Sequence, residues 1–211
     1  MTTPTTQQLI AALGAGQTLA DAAAAAGVSV AEAERLWHEL GQSRLPPASA
    51  TLTAEVASSV EVVRDAYGVP HVYAQTERDL FLGLGFAMAQ DRLWLMDYLR
   101  RKATGRLAEL LGQRYVEPDY LYRVLDFPTI CARNHARLGQ RWRDLLGGMA
   151  AGVNRAIAQA GDALPVEFDL LGYRPEPWTA VDILVGLRYQ WWGLSGRLAQ
   201  ITTATALDRA L

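Results

Sequence analysis

The spacing of hydrophobic residues divides the chain into a helical beginning and a longer second part. Helical periodicity occurs first in three stretches, over residues 6–13, 19–26 and 30–40. Gly27 is placed to end the second helix and Ser29 to cap the third. Proline and small polar residues then replace the periodic pattern, which is typical of a linker. The pattern therefore predicts a helical extension over residues 1–43, a linker over residues 44–57 and a separate region over residues 58–211.

The second part begins with the alternation of a β-hairpin and continues as helices. Residues 60–64 alternate like a strand, residues 65–68 have turn chemistry, and residues 69–74 form a returning strand. A capping-box pattern at residues 76–79 opens a helix that continues through Leu99. Further helices are predicted over residues 105–111, 119–138 with an interruption at Pro128, 141–159 and 182–200. The predicted fold class is α+β, a mostly helical chain with one hairpin.

Two glycines lie inside the long helix that follows the hairpin. Gly83-Leu84-Gly85 resembles part of a dinucleotide-binding loop, but a third glycine is missing and the motif does not precede the helix. Gly83 and Ala87 are four residues apart, as are Gly85 and Ala89, which places small residues on shared helix faces. We therefore predict close packing of another element against this helix.

Composition and charge exclude several classes of protein. The chain has 211 residues, of which 50% are hydrophobic, with 20 basic against 22 acidic side chains. This balance argues against nucleic-acid binding, which needs an excess of lysine and arginine. The one cysteine excludes an internal disulfide, and the three histidines lack metal-ligand spacing. No stretch approaches the roughly 20 apolar residues of a membrane span and no signal peptide is recognised, so we expect a cytoplasmic protein without membrane contact.

The first helices contain a pattern that resembles a helix-turn-helix unit, over residues 18–37. Such a unit can bind DNA, or it can be a small packing or regulatory module. Residues 1–50 contain only Arg35 and Arg44 as arginine or lysine, against four acidic residues. The helix that would enter the groove begins Val-Ala-Glu-Ala at residues 30–33, which offers nothing to phosphates or bases. DNA binding is disfavoured, and a regulatory protein built around this unit stays as the alternative from another functional class.

Several blocks in the second part carry a family resemblance. They are VRDAYGVPHVYA at residues 63–74, DLFLGLGFAMAQDRLWLM at 79–96, GRLAE at 105–109, and the connection from LPVEF at 164–168 to PWT at 177–179. In this order they resemble the penicillin acylase family, collinearly over about residues 58–211. Residues 1–50 are not part of the family pattern.

The resemblance implies an N-terminal-nucleophile hydrolase, made as one precursor that cleaves itself into an α and a β subunit. This chain is similar to the α subunit, so its hairpin would join the αββα sheet that the β subunit completes. The nucleophile would be a serine at the new N-terminus of the β subunit, with its own α-amine as general base. No catalytic residue is therefore expected on this chain. The other implied partner is a small N-acyl amide of the penicillin type, with N-acyl homoserine lactones or other N-acyl amines as the alternative.

The resemblance also implies that the helix over residues 182–200 supplies the wall that binds the acyl group. One stripe at helical spacing favours core packing, and its members are Leu184, Leu187, Trp191, Leu194 and Leu198. Trp192 lies off that stripe, beside Gly193 where the helix is weakened, which favours a place in the pocket lining. The predicted substrate-binding residues are Trp192, Trp191, Leu194 and Gln190. Their aromatic and aliphatic character favours an apolar acyl group over a charged one.

A structural calcium ion is the one possible cofactor that the resemblance implies. Many family members bind it through a glutamate in the segment that corresponds to residues 199–201, with the other ligands on the β subunit. Gln200 stands in that segment, and its amide oxygen can ligate calcium but adds no charge. We therefore predict Gln200 as a metal ligand of a weakened calcium site and expect no other cofactor to be required.

Overall fold

In the computed structural model, the structure is described over residues 3–47, 49–195 and 197–210, leaving out the side chains of residues 197–199. Within these ranges the chain forms α-helices, one short 3-10 turn at Gln113–Tyr115 and one sheet of two strands, β1 (Glu61–Arg64) and β2 (Pro70–Tyr73). The helices are α1 Pro4–Gly14, α2 Leu19–Ala25, α3 Val30–Ser43, α4 Glu77–Ala103, α5 Ala108–Leu111, α6 Val116–Leu125, α7 Phe127–Arg137, α8 Gln140–Ala160, α9 Val166–Leu170, α10 Ala180–Ser195 and α11 Arg197–Ala210. No helix in the described ranges is long and apolar enough to span a bilayer.

The three predicted helices of the extension are confirmed. The hydroxyls of Thr3, Thr18 and Ser29 each accept a hydrogen bond from a backbone N–H three residues later, which satisfies a donor that the first turn leaves free. Gly27 has a φ of +70°, as expected of a glycine that ends a helix. The core of the extension is small, and its buried members are Leu9, Ala22, Ala23 and Ala33.

The extension packs against the second part of the chain through α1 and the end of α3. α1 meets α9 so closely that a Cβ on Gly14 would overlap the carbonyl oxygen of Leu170. Arg44 donates to the carboxylate of Asp169 and to the carbonyl oxygen of Asp162. Residues 44–47 and 49–57 form neither helix nor strand.

The predicted hairpin is confirmed as an antiparallel pair in which Val62 lies opposite Val72. Asp65 closes the turn, because its carboxylate accepts hydrogen bonds from the backbone N–H groups of Tyr67 and Val69. Gly68 has a φ of +78°, which a residue with a side chain rarely adopts. The local chemistry of these residues therefore fixes the turn.

The long helix α4 packs along α8, and small residues determine how closely the two approach. Thr76 caps α4 as predicted, and the helix continues past Leu99 with a kink at Arg92. A Cβ on Gly85 would overlap the carbonyl oxygen of Met149, and one on Gly152 would overlap that of Leu82. The predicted close packing is confirmed, and α8 supplies the partner helix.

Three predicted elements differ from the structure in their bounds. The helix predicted over residues 119–138 is divided into α6 and α7 at Asp126, which adopts the left-handed conformation. Pro128 lies in the first turn of α7, where its missing N–H is harmless, so the break falls two residues before the proline. Only Ala108–Leu111 is helical within residues 105–111. The single helix predicted over residues 182–200 corresponds to α10 and the start of α11.

Candidate substrate-binding wall

Local capping and a side-chain clamp fix the start of α10. The Thr179 hydroxyl accepts from the Asp182 N–H, while the Asp182 carboxylate accepts from the Thr179 N–H at 2.8 Å, which confirms the predicted cap. The amide side chain of Asn154 on α8 donates to the carbonyl oxygen of Trp178 at 2.8 Å and accepts from its N–H at 2.7 Å. α10 then packs against α7, α8 and α4.

A buried charge network ties α4 to the connection before α10. Asp97 is completely buried and forms ion pairs with Arg100 and Arg101, while the Tyr173 hydroxyl donates to it at 3.0 Å. Arg100 also donates to the carbonyl oxygen of Glu176. Each buried charge is thus paired, which is the condition under which an interior tolerates it.

A second, exposed ion pair lies beside this network. Arg106 donates through both terminal nitrogens to the carboxylate of Glu176, at 2.9 and 2.8 Å. The hydrogen bond from Arg106 is the main reason why the pKa of Glu176 falls to about 2. Glu109, which also accepts from Arg106, has a lowered pKa for the same reason.

The inner face of α10 contributes two aromatic side chains to a cluster between α6, α7 and α10. We call Trp192, Tyr189, Tyr122 and Phe127 the aromatic cluster. Ring centroids are 6.2 Å apart between Phe127 and Trp192, 6.3 Å between Tyr122 and Phe127, and 5.8 Å between Tyr122 and Tyr189. Cys131, the one cysteine, is buried next to this cluster. The prediction missed the cluster, although Tyr189 and Trp192 have helical spacing.

The outer face of α10 is exposed and apolar. Leu187 is 50% exposed, Trp191 70% and Leu194 84%. The prediction that the stripe containing these residues packs in the core is therefore wrong for the three of them, and the side chain of Leu198 lies outside the described residues. The spacing of apolar residues identifies a helix face but does not show what packs on it. The partly buried side chains of Tyr189 and Trp192 pack against the core instead.

The two predicted polar site residues lie on the surface. Gln190 and Gln200 are both exposed. The side chains described include no group of three or more histidine, cysteine, aspartate or glutamate residues that could hold a metal ion. On α11 the nearest carboxylate after Gln200 belongs to Asp208, about 12 Å further along the axis. Calcium prefers six to eight oxygen ligands, so a calcium site at Gln200 would need most of its ligands from another chain, and Gln200 stays a predicted ligand.

A crevice of about 600 Å³ lies away from α10, between the extension and the second part. Its charged lining residues are paired with each other, Arg44 with Asp169 and Arg174 with Asp162. A ligand there would meet no unpaired charge among these four residues, so the outer face of α10 stays the better candidate for substrate binding.

Comparison with known proteins establishes the relationship. The family model of penicillin amidase matches residues 59–211. The chain belongs to the penicillin amidase family. A relative from Pseudomonas sp. (strain SE83), penicillin acylase 2 proenzyme, is 45% identical over 65% of this chain and 18% of its own length. Penicillin G acylase of Escherichia coli is 35% identical over 63% of this chain and 16% of its own length.

Two further matches widen the range of relatives within the penicillin amidase family. The acyl-homoserine lactone acylase QuiP of Pseudomonas putida is 33% identical over 67% of this chain and 18% of its own length. A solved structure, thermostable penicillin G acylase from Alcaligenes faecalis, matches with a TM-score of 0.64 and 35% identity, covering 72% of this chain and 82% of the matched one. The chain thus spans about a fifth of the length of these curated relatives and most of one chain of a solved acylase.

Proposed function

We propose that this chain is the α subunit of a self-processed heterodimeric acylase that hydrolyses the amide bond of an N-acyl substrate. The observation that carries the proposal is the exposed apolar face of α10 in a chain of this family. Soluble proteins rarely leave large apolar side chains together in water unless another surface covers them. A substrate acyl group and a β subunit are the two occupants that an acylase would supply.

The relative sizes of the matched proteins support a two-chain enzyme. A relative named as a proenzyme extends far beyond the matched region, whereas the matched chain of the solved acylase is covered over 82% of its length. Cleavage of a long precursor into a short and a long chain accounts for both facts. β1 and β2 have unpaired edges within the described chain, and strands of the β subunit would continue their sheet.

The chemistry proposed for the enzyme takes place on the β subunit. The hydroxyl oxygen of its N-terminal serine attacks the amide carbon, and the serine's α-amine accepts the hydroxyl proton. The resulting tetrahedral oxyanion collapses when the C–N bond breaks, and the leaving amine takes up that proton. Water then attacks the acyl-enzyme, which releases the carboxylic acid and restores the serine.

This chain's contribution is to bind and orient the acyl group. Trp191 and Leu194 would form an apolar wall on the outer face of α10, with Gln190 at its edge as a polar contact, whereas Trp192 would reach a substrate only from the inner side of the helix, beside Phe127. Burying such side chains against an acyl chain yields about 25 cal/mol for each Å² removed from water, and it excludes water from the reacting carbonyl. An apolar acyl group fits this wall better than a charged one, because a carboxylate would lose its hydration there.

The test is to produce the complete precursor and to follow its maturation. We expect mass spectrometry to find a second chain that begins with serine, and the change of that serine to alanine to abolish hydrolysis. A screen of phenylacetyl, long-chain and glutaryl amides then defines the acyl group. A preference for glutaryl amides would contradict the apolar wall, and absence of a serine-initiated chain would contradict the mechanism.

N-acyl homoserine lactone hydrolysis is the second candidate, and the identity with QuiP of Pseudomonas putida favours it. Hydrolysis of long-chain acyl homoserine lactones at a higher kcat/KM than phenylacetyl amides would select it. Deleting residues 1–45 separates both acylases from a regulatory protein. Amide hydrolysis that persists in the truncated enzyme supports an acylase, whereas loss of a salt-sensitive DNA affinity would indicate a regulator.

A further inference from the structure

The connection before α10 is long and mostly irregular, so its order depends on contacts with its neighbours. It covers residues 161–179, and within these residues the structure describes one helix, α9. A helix of five residues is too short to persist by itself in water, because nucleation is unfavourable and few hydrogen bonds follow it. The bonds that define it, such as the one from the Leu171 N–H to the carbonyl oxygen of Glu167, therefore need support from packing.

Helices of the second part of the chain hold the later half of this connection. The Tyr173 hydroxyl donates to the buried Asp97 on α4, and Arg100 donates to two backbone carbonyl oxygens just before Trp178. The side chain of Asn154 on α8 bonds to both backbone groups of Trp178. All of these residues lie within the part of the chain that matches the penicillin amidase family.

The extension, which lies outside that match, holds the earlier half of the connection. Arg44, the residue that follows α3, donates to the carbonyl oxygen of Asp162 and to the carboxylate of Asp169. Its side chain is only 13% exposed, so these bonds are largely shielded from water. The end of α1 lies against the backbone of Leu170, where Gly14 leaves no room for a side chain. The extension therefore contacts α9 and both residues that Arg44 binds.

The chain that follows the extension is fixed to the same helices. Residues 49–57 have no regular secondary structure, but side chains of α8 and α4 bind their backbone. Arg155 on α8 donates to the carbonyl oxygen of Thr53 at 2.8 Å. The completely buried carboxylate of Asp79 on α4 accepts from the N–H groups of residues 57 and 58. The extension is thus joined to the second part both directly and through a fixed segment.

We propose that the extension is a brace that docks in cis on α9 and keeps the earlier half of the connection ordered. Arg44 and Gly14 are the residues through which it acts. The extension then belongs to the rigid part of the subunit and does not move as a tethered module. A segment opens locally more often when the contacts that cover it are weakened, so the brace has a measurable effect on α9.

Hydrogen–deuterium exchange of the full-length protein, read by mass spectrometry of its peptides, measures this order. We expect Arg44→Met to speed the exchange of the amides of residues 168–172 about tenfold, because losing two hydrogen bonds from a charged donor favours local opening. Peptides from α4 and α8 should exchange at an unchanged rate. Arg44→Lys should restore part of the protection, since it keeps the charge but not the planar fork that serves two acceptors.

Arg35 provides the matched control for charge, because it lies in the extension and its ion pairs with Glu32 and Glu39 are exposed. Arg35→Met removes the same charge without touching the connection. It should change the exchange of residues 168–172 by less than about twofold, because exposed pairs contribute little.

Two glycines of the extension test the docking contact without changing charge. Gly14→Ala places a methyl group where the carbonyl oxygen of Leu170 lies, so α1 has to withdraw and the connection should exchange faster. Gly41→Ala adds the same group on α3, where nothing lies within 4 Å, and should leave the exchange unchanged.

Faster exchange confined to the connection in Arg44→Met and Gly14→Ala, but absent from the two controls, supports the brace. Unchanged exchange of the connection in both variants would overturn it. Equally faster exchange across α4 and α8 would also overturn it, because the variants would then destabilise the whole chain and not the docking contact.

Discussion

The α4–α8 pair and the outer face of α10 differ in how much of their surface the chain itself buries. Between α4 and α8, glycines bring backbone against backbone, and a single added methyl group has no room at Gly85 or Gly152. On α10, large apolar side chains such as Trp191 and Leu194 remain in water. The first region is therefore buried by the chain's own packing, whereas the second leaves an apolar surface exposed.

The largest loss in the free energy of unfolding is expected when the buried charges of α4 are disturbed. Asp97→Ala leaves Arg100 and Arg101 buried without their carboxylate, which should lower the free energy of unfolding by about 3–5 kcal/mol. Urea unfolding of the full-length protein followed by circular dichroism measures this loss. Arg141→Gln is the matched control, because its ion pair with Glu77 is mostly exposed and should be worth at most about 1 kcal/mol. Similar losses for both variants would contradict the assigned role of burial.

Two glycines of α8 test the packing of the same region in opposite directions. Gly152→Ala should lower the free energy of unfolding by about 1–3 kcal/mol, since its Cβ overlaps the Leu82 carbonyl oxygen. Gly147→Ala should raise it by about 0.5–1 kcal/mol, since that Cβ meets nothing within 4 Å and alanine favours the helix. The same urea titration compares them, and a gain for Gly152→Ala would show that the two helices can separate freely.

Acid should weaken the ion pair that supports the start of α10. The pKa of Glu176 is lowered to about 2 in the folded chain, from an ordinary value of 4.5. Its stabilising contribution is therefore complete above about pH 4.5 and is lost as the pH falls toward 2. Because the carboxylate is 53% exposed, we expect less than about 1 kcal/mol. Glu176→Gln should flatten this part of the stability profile, and an unchanged profile would show that Glu176 does not contribute.

The smallest effect on stability is expected on the outer face of α10. Trp191→Ser removes a side chain that is 70% exposed and should change the free energy of unfolding by less than about 0.5 kcal/mol. Trp192→Ser removes a ring packed against Phe127 and should cost more, about 2 kcal/mol. The same serine change at Trp191 should nevertheless raise KM for apolar acyl substrates in the complete enzyme. Equal losses in the free energy of unfolding for Trp191→Ser and Trp192→Ser would contradict the assignment of Trp191 to an exposed face and Trp192 to a packed one.

The sequence predicts those features that short-range chemistry determines. Caps at Ser29, Thr76 and Thr179, the Asp65 turn and the small residues around Gly85 all depend on neighbours a few positions away. The buried face of α10 was not predictable in this way, because it depends on α7, whose start is set by the left-handed Asp126. The substrate-binding and calcium roles stay predictions, because in the proposed enzyme they would depend on a β subunit as well.

The chain's single cysteine is buried and therefore reacts slowly with thiol reagents. Cys131 is 2% exposed, and burial raises the pKa of its thiol, so little thiolate is available for alkylation. A cysteine introduced at an exposed position of α10, such as Leu194→Cys, becomes the one group that a maleimide dye labels quickly. Labelling of that residue then reports directly on whether the face is open or covered, and the same reagent can follow assembly in time.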